Sequence, residues 1–295
     1  MTKNSITKDS AGIVEVEGAQ LRYRIEGHGP PCLVVGSSVC YPRVFSRELR
    51  EHLQLVFADL RHFTDPRHFV SADPSFRADR ISIDTCADDV EHVRQALGLG
   101  NVIVMGHSMH GPLALEYARR YPEYVRGVVA IAASPCGSHE VLTEIGRLWD
   151  ADASEERKEI LARRLAELTP EVRATLSAAE IVVREYVATG SMKCYDPTDD
   201  CSWLLEEVVP DVPVFERLGD LLETYDLAQG STEISVPVLI AAGRYDYAAP
   251  YTLWEKHRHK LPQHTYVLFE DSAHFPPLEE PQRFDQTLLT WADGL

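Results

Sequence analysis

Three residues of this 295-residue chain have the types and order that nucleophilic acyl transfer needs: Ser108, Asp246 and His274. A serine hydroxyl attacks a carbonyl group only when a base takes its proton, and the base works best when a third group orients it. Ser108 lies in GHSMHG, Asp246 in GRYDYAAP and His274 in DSAHFPPLEEP. In isolation Asp246 would pass for a turn residue and His274 for a solvated or capping one. Their order along the chain, and the place of each just after an apolar run, argue for catalysis. Asp271, on the same loop as His274, and Asp226 are rival acids, less well placed than Asp246.

The elements that must hold these residues are legible around them. In Asn101–Tyr121, NVIVMGHSMHGPLALEYARRY, an apolar run stops at Gly106 and helical spacing begins directly after Ser108. Strand, sharp turn and helix is the context that lifts a serine Oγ clear of a sheet edge. Met109, at the start of that helix, offers a free backbone N–H to a developing oxyanion. A second donor is expected from the loop after the third strand, Gly36-Ser37-Ser38, as the N–H of Ser37. One position is irregular: the pattern wants glycine two residues after the serine, and His110 stands there with Gly111 following. Either the turn opens slightly or the imidazole points into the pocket. A buried imidazole bonded to a backbone carbonyl is the plainer account. His110, Ser38 and Trp203 are the expected substrate contacts.

The rest of the chain alternates short apolar segments with helical patterns. Strands are expected at Ile13–Glu17, Gln20–Ile25, Cys32–Val35, Leu55–Asp59, Gly127–Ala132, Val238–Ala242 and Thr265–Phe269. Helices are expected after the loop Gly36–Val39 to about His52, over Ile83–Leu97, around Tyr251–Lys260 and over Pro281–Trp291, while His62–Asp79 reads as loop. This alternation predicts an α/β fold with a mostly parallel sheet covered on both faces. From Ser134 to about Ile234 strand signals vanish and charged helices such as Ser154–Leu168 take over. Residues 1–134 and 233–295 are therefore expected to form the core and 135–232 a helical insertion over the carboxyl ends of the strands. Glu206 and Glu207 are candidates to receive a substrate amine, although an exposed helix face explains them equally well.

Composition excludes several classes. A net charge of −17 argues against nucleic acid or an anionic membrane as partner. No apolar run is long enough to span a bilayer, and the polar first residues lack a secretory signal's apolar core. The six cysteines have no C-x-x-C spacing and read as reduced thiols of a cytoplasmic protein, and the twelve histidines form no metal-ligand pattern.

GHSMHG, GRYDYAAP and DSAHFPPLEEP together resemble the nucleophile, acid and histidine motifs of the α/β-hydrolase superfamily, in its group of esterases, lactonases and proline-iminopeptidase-like hydrolases. The likeness extends over essentially the whole chain. It implies an eight-stranded sheet, a helical cap after the sixth strand, a small-molecule substrate and no cofactor or metal. A homodimer is an expectation at family level alone. Serine at 108 in place of aspartate speaks against dehalogenase or epoxide-hydrolase chemistry. The absence of HGGPG before the third-strand loop weakens the peptidase reading. The expected activity is hydrolysis of a carboxylic ester or lactone. An aminopeptidase or amidase, or a small-molecule receptor with little turnover, are the alternatives.

Overall fold

A computed structural model describes residues 9–64, 73–228 and 233–295. Its eight strands are β1 (Ser10–Val16), β2 (Ala19–Gly27), β3 (Pro31–Gly36), β4 (Gln54–Asp59), β5 (Val102–His107), β6 (Val125–Ile131), β7 (Val238–Gly243) and β8 (His264–Phe269). They form one sheet in the order β1-β2-β4-β3-β5-β6-β7-β8. β2 runs antiparallel to β1 and β4, and the pairings from β4 through β8 are parallel. The β1–β2 connection is the two residues Glu17 and Gly18, both at positive φ, as a tight hairpin matched to strand twist requires.

The central strands are apolar throughout because both of their faces are covered. Successive residues alternate between two cores. Leu33, Val35, Val104, Val128 and Ile240 face one, with helices α2 (Ile83–Ala96) and α3 (His110–Arg120). Cys32, Val34, Met105, Val129 and Leu239 face the other, with Phe284 and Leu288 of the C-terminal helix Pro281–Ala292. This register matters for the site: every parallel strand delivers its carboxyl end to the same edge of the sheet.

Residues 40–52 form two 3₁₀ turns, Tyr41–Arg43 and Glu48–Glu51, where continuous helix is expected. Side chains have taken the backbone groups that a helix needs. Ser37 Oγ accepts the N–H of Val39 and Cys40. The Arg50 guanidinium donates to the carbonyls of Pro42, Phe45 and Ser46. The expected loop His62–Asp79 contains the end of a 3₁₀ turn, Arg61–Phe63, and helix α1 (Pro74–Asp79); its residues 65–72 lie outside the described ones.

Between β6 and β7 come helices α4 (Ser138–Asp152), α5 (Glu155–Ala166), α6 (Pro170–Arg173), α7 (Ala178–Ala188) and α8 (Val212–Glu223). Their starts are coded locally: Ser154, Thr169 and Ser177 each cap a helix with the side-chain oxygen, and Ser177 forms a capping box with Glu180. A buried ion pair between Arg77 of α1 and Asp211, the residue before α8, ties this block to the rest of the molecule. After β7 follow α9 (Tyr251–His257), α10 (Pro276–Glu279) and α11 (Pro281–Ala292). Among the described residues no helix is long and apolar enough to cross a membrane, and all six cysteines are free thiols.

Candidate active site

Ser108 occupies the two-residue corner between β5 and α3, with φ at +55°. A non-glycine residue in this left-handed region costs on the order of 1–3 kcal/mol and persists only where its surroundings impose it. Here the Ser108 N–H is held by the carbonyl of Ile131, and the Ser108 carbonyl by the N–H of Gly111. Two glycines make the corner sterically possible. A Cβ on Gly106 would lie 2.1 Å from the carbonyl oxygen of His110, and one on Gly111 would lie 2.2 Å from Cβ of Ala133. The close helix–strand approach expected two residues after the serine is therefore met three residues after it, by Gly111, which releases His110 from that duty.

His274 follows β8 and Asp246 follows β7. The Nδ1–H of His274 donates to Asp246 Oδ2 at 2.8 Å, with the two side chains 2% and 0% exposed. The other oxygen, Oδ1, accepts the N–H groups of Ala248 and Ala249, both at 2.8 Å. The acid is thus saturated with donors and held in one orientation. The rivals are engaged elsewhere: Asp271 accepts from the Tyr195 hydroxyl and Asp226 pairs with Lys260. The His274 ring packs edge-on against His107, the residue before the serine, with centroids 4.6 Å apart, and His107 Nε2–H donates to the His274 carbonyl at 2.7 Å.

Two features that sequence reasoning passed over hold the histidine loop. Glu279 Oε2 accepts the N–H groups of Ala273 and Phe275, on either side of His274, while its Oε1 accepts the N–H of Tyr195. Burial raises this carboxyl above its usual range, and the three backbone donors oppose that. Gly243 allows the acid and histidine loops to touch, since a Cβ there would come within 1.9 Å of the Ala273 carbonyl oxygen. The only sequence signal for either is their place in GRYD and PLEEP.

Ser108 opens into a cavity of about 660 Å³, open solvent at its mouth included. Ser37, Met109, His110, Tyr41 and Phe63 line its core side, and Val182, Val183, Tyr186, Leu205, Val208 and Phe215 its opposite side. The helical block between β6 and β7 thus supplies an apolar wall facing the serine. A second cavity reaches Ser108 and Met109 from the other side, lined by Ser134, Cys136, Leu142, Glu223 and Tyr225 among others. Of the residues expected to touch substrate, His110 lines the first cavity. Ser38 does not: it is buried behind it, with its N–H donating to Asp59. Trp203 is 41% exposed and lies outside both linings, as do Glu206 and Glu207. Neighbouring Leu205 and Val208 face inward in their place.

The imidazoles in the pocket wall, His107 and His110, and His62 bonded to His110 are uncharged. His62 is pushed down to about 3 by burial, and burial likewise drives His107 and His110 well below the ordinary imidazole value. Elsewhere, Cys136, Glu140 and His257 bring possible metal-ligand atoms within 4.8 Å of one another, a grouping that sequence spacing did not show. The Glu140 carboxylate already carries the Lys256 ammonium and a bond from His257 Nε2, so a cation is in place there.

Comparison with known proteins agrees with this architecture. Residues 43–182 match the family model described as the alpha/beta hydrolase fold. The chain is 35% identical over 287 residues to the AB hydrolase superfamily protein YclE of Bacillus subtilis, covering 97% of this chain and 99% of that one. It is 25% identical over 299 residues to a proline iminopeptidase of Heyndrickxia coagulans, covering 92% and 95%. It is 27% identical over 195 residues to a pimeloyl-[acyl-carrier protein] methyl ester esterase of Yersinia enterocolitica, covering 64% and 69%. With its eight-stranded sheet, its serine at a strained strand–helix corner and this likeness over nearly its full length, the chain belongs to the alpha/beta hydrolase superfamily.

Proposed function

We propose that this hydrolase cleaves a carboxylic ester or lactone of a small apolar molecule through an acyl-enzyme on Ser108. The observation that carries the reading is the buried Asp246–His274 pair, packed against His107, the residue before a left-handed serine that opens into an apolar cavity. With Nδ1–H committed to Asp246, the Nε2 of His274 carries the lone pair and takes the proton of Ser108 as its Oγ adds to the substrate carbonyl. The backbone N–H groups of Met109 and Ser37 receive the oxyanion. The imidazolium then protonates the leaving alkoxide. Water, activated by the same imidazole, adds to the acyl-enzyme and releases the acid with the serine restored. The acyl portion lies between Phe63, Val183 and Phe215, and the helical block acts as the cap that keeps water from it.

Ester is favoured over amide because the inward-facing residues around 205–208 are Leu205 and Val208, while the neighbouring glutamates stay out of the cavity. A carboxylate does reach the second cavity, Glu223, and a substrate amine paired with it would support an aminopeptidase. Fluorophosphonate labelling with peptide mapping, run beside p-nitrophenyl acetate through octanoate and proline p-nitroanilide, tests the reading. Labelling at Ser108 with ester turnover supports an esterase, and anilide turnover alone supports the aminopeptidase. Unchanged ester turnover in Ser108→Ala would sink both. Labelling without turnover on any of these, together with ligand-dependent stabilisation, would favour a receptor.

A further inference from the structure

His110 is the residue that departs from the nucleophile pattern, and its surroundings show what the departure does. With Gly111 serving the close approach to Ala133, the His110 side chain turns away from that contact and toward the β3 loop. Its ring lies against Gly36, where φ is +134° and a Cβ would meet Cε1 and Nδ1 of the imidazole at 2.8 Å. Gly36 opens the turn whose next residue is Ser37. The Tyr41 hydroxyl reaches His110 Nδ1 at 2.7 Å, and the Tyr41 N–H donates to the Ser37 carbonyl at 3.4 Å. His110 Nε2 meets His62 Nε2 at 2.8 Å, with the two ring planes inclined by only 16°. The His62 carbonyl in turn accepts the N–H of Asp211, the residue before α8.

The donors assign themselves along this chain. A neutral imidazole has one N–H and one lone pair. His110 Nδ1 lies 3.2 Å from the His107 carbonyl as well as 2.7 Å from the Tyr41 hydroxyl, and a carbonyl only accepts, so His110 Nδ1–H donates there and His110 Nε2 accepts from His62 Nε2–H. The Tyr41 O–H then faces His107 Nδ1 at 3.4 Å. The line is then joined without a charge. Glycine at 110 would take its partner from His62 Nε2 and leave the Tyr41 hydroxyl with only its longer contacts to His107, and a larger aliphatic side chain would press on Gly36 without bonding to either.

We propose that His110 is a positioning residue for the oxyanion site: through Gly36 and Tyr41 it holds the Gly36–Ser37 turn at the height from which the Ser37 N–H meets the developing charge. Through His62 it joins that turn to the start of α8. This rests on the reading of Ser108 as nucleophile. Oxyanion donors work only when aimed where charge develops, and losing one costs roughly 10²–10³ in kcat. A turn released but not removed should lose part of that.

The test compares His110→Ala, Tyr41→Phe, their double variant and His110→Gln, with Ser108→Ala as control. kcat for p-nitrophenyl acetate is normalised to the serine titrated by fluorophosphonate, so that misfolded protein does not count. The expected result for His110→Ala and Tyr41→Phe is a fall of about 10–100-fold in kcat with KM changed less than about threefold. The affinity for an alkyl boronate, which mimics the tetrahedral state, should fall in parallel. The double variant should be no worse than the singles, and His110→Gln, which keeps an N–H and an acceptor, should recover part of the loss. Unchanged kcat per titrated serine alongside a lower Tm would reduce His110 to a structural role and overturn the proposal. So would a loss confined to KM, or fully additive losses in the double variant. Turnover that survives in Ser108→Ala would instead overturn the nucleophile reading, and this inference with it.

Discussion

Asp246 and His274 come from loops after two neighbouring strands and meet as Oδ2 and Nδ1 at 2.8 Å, with solvent excluded from both. The second oxygen of Asp246 is bound by two backbone N–H groups, so the carboxylate cannot rotate away without stranding them. Asp246→Asn can keep its carbonyl oxygen on those two donors. Its amide N–H₂ then faces His274 Nδ1 and forces the proton to Nε2, where the lone pair is needed. The expected outcome is a kcat for p-nitrophenyl esters lowered about 10⁴-fold with Tm nearly unchanged. A loss under tenfold would show that another acid orients His274.

The contact between the acid and histidine loops depends on one missing side chain. A Cβ on Gly243 would approach the Ala273 carbonyl oxygen to 1.9 Å, against backbone that cannot swing aside. Gly243→Ala should destabilise the fold by about 1–3 kcal/mol or more, measured by urea unfolding. It should also lower kcat of the folded fraction, since it drives apart the loops that carry the pair.

Stability should fall on acidification through the buried imidazoles. In the folded chain His62 is pushed down to about 3 by burial, below its ordinary value of 6.5, while the unfolded chain protonates near that value. Between these limits the unfolded state binds the extra proton, so stability is complete above about pH 6.5 and is lost as pH falls toward 3. His107 and His110 shift in the same direction for the same reason, and add to the slope. Comparing urea unfolding of His62→Gln with the parent between pH 6.5 and 5 isolates one proton. The variant should lose stability less steeply, by about 1.4 kcal/mol per pH unit. Parallel curves would contradict a neutral, buried His62.

Arg77 and Asp211 form an ion pair whose side chains are 5% and 0% exposed, joining α1 to the start of α8. Asp211→Ala takes a buried carboxylate from the Arg77 guanidinium, and chemical unfolding should register a cost on the order of a few kcal/mol. Because the neighbouring backbone bonds the His62 carbonyl, a smaller loss of kcat should accompany it.

The wall facing the serine should set acyl length. Val183 and Phe215 line the cavity opposite Ser108. Val183→Trp fills part of that space. Its kcat/KM for p-nitrophenyl octanoate should drop at least about tenfold, while that for acetate stays within about threefold. Octanoate turnover left as high as in the parent would place the acyl chain in the second cavity, between Leu142 and Tyr225.

The apolar runs, their alternation with helices and the glycines around Ser108 are properties of local sequence, and they suffice for the eight-stranded, mostly parallel sheet and for the strand–corner–helix unit. A short buried strand next to an amphipathic helix has few other ways to cover its faces. The positions of Asp246 and His274 are legible for the same reason, since each follows a strand whose carboxyl end must reach the same sheet edge. The expected helix over residues 40–52 shows where local pattern fails: Arg50 and Ser37 take the backbone groups that a helix would have used.

Sequence by itself therefore determined the fold and the sheet edge to which Ser108, Asp246 and His274 are delivered, because periodicity and turn residues act over a few positions. The tertiary structure decided what surrounds the serine. Trp203 and Ser38 face away from the cavity, and Leu205, Val183 and Phe215 form its wall, according to how the helical block packs on the sheet. His110 meets Tyr41 and His62, residues 69 and 48 positions away, only after three loops have converged. Such contacts depend on the relative placement of whole elements, which no local spacing encodes.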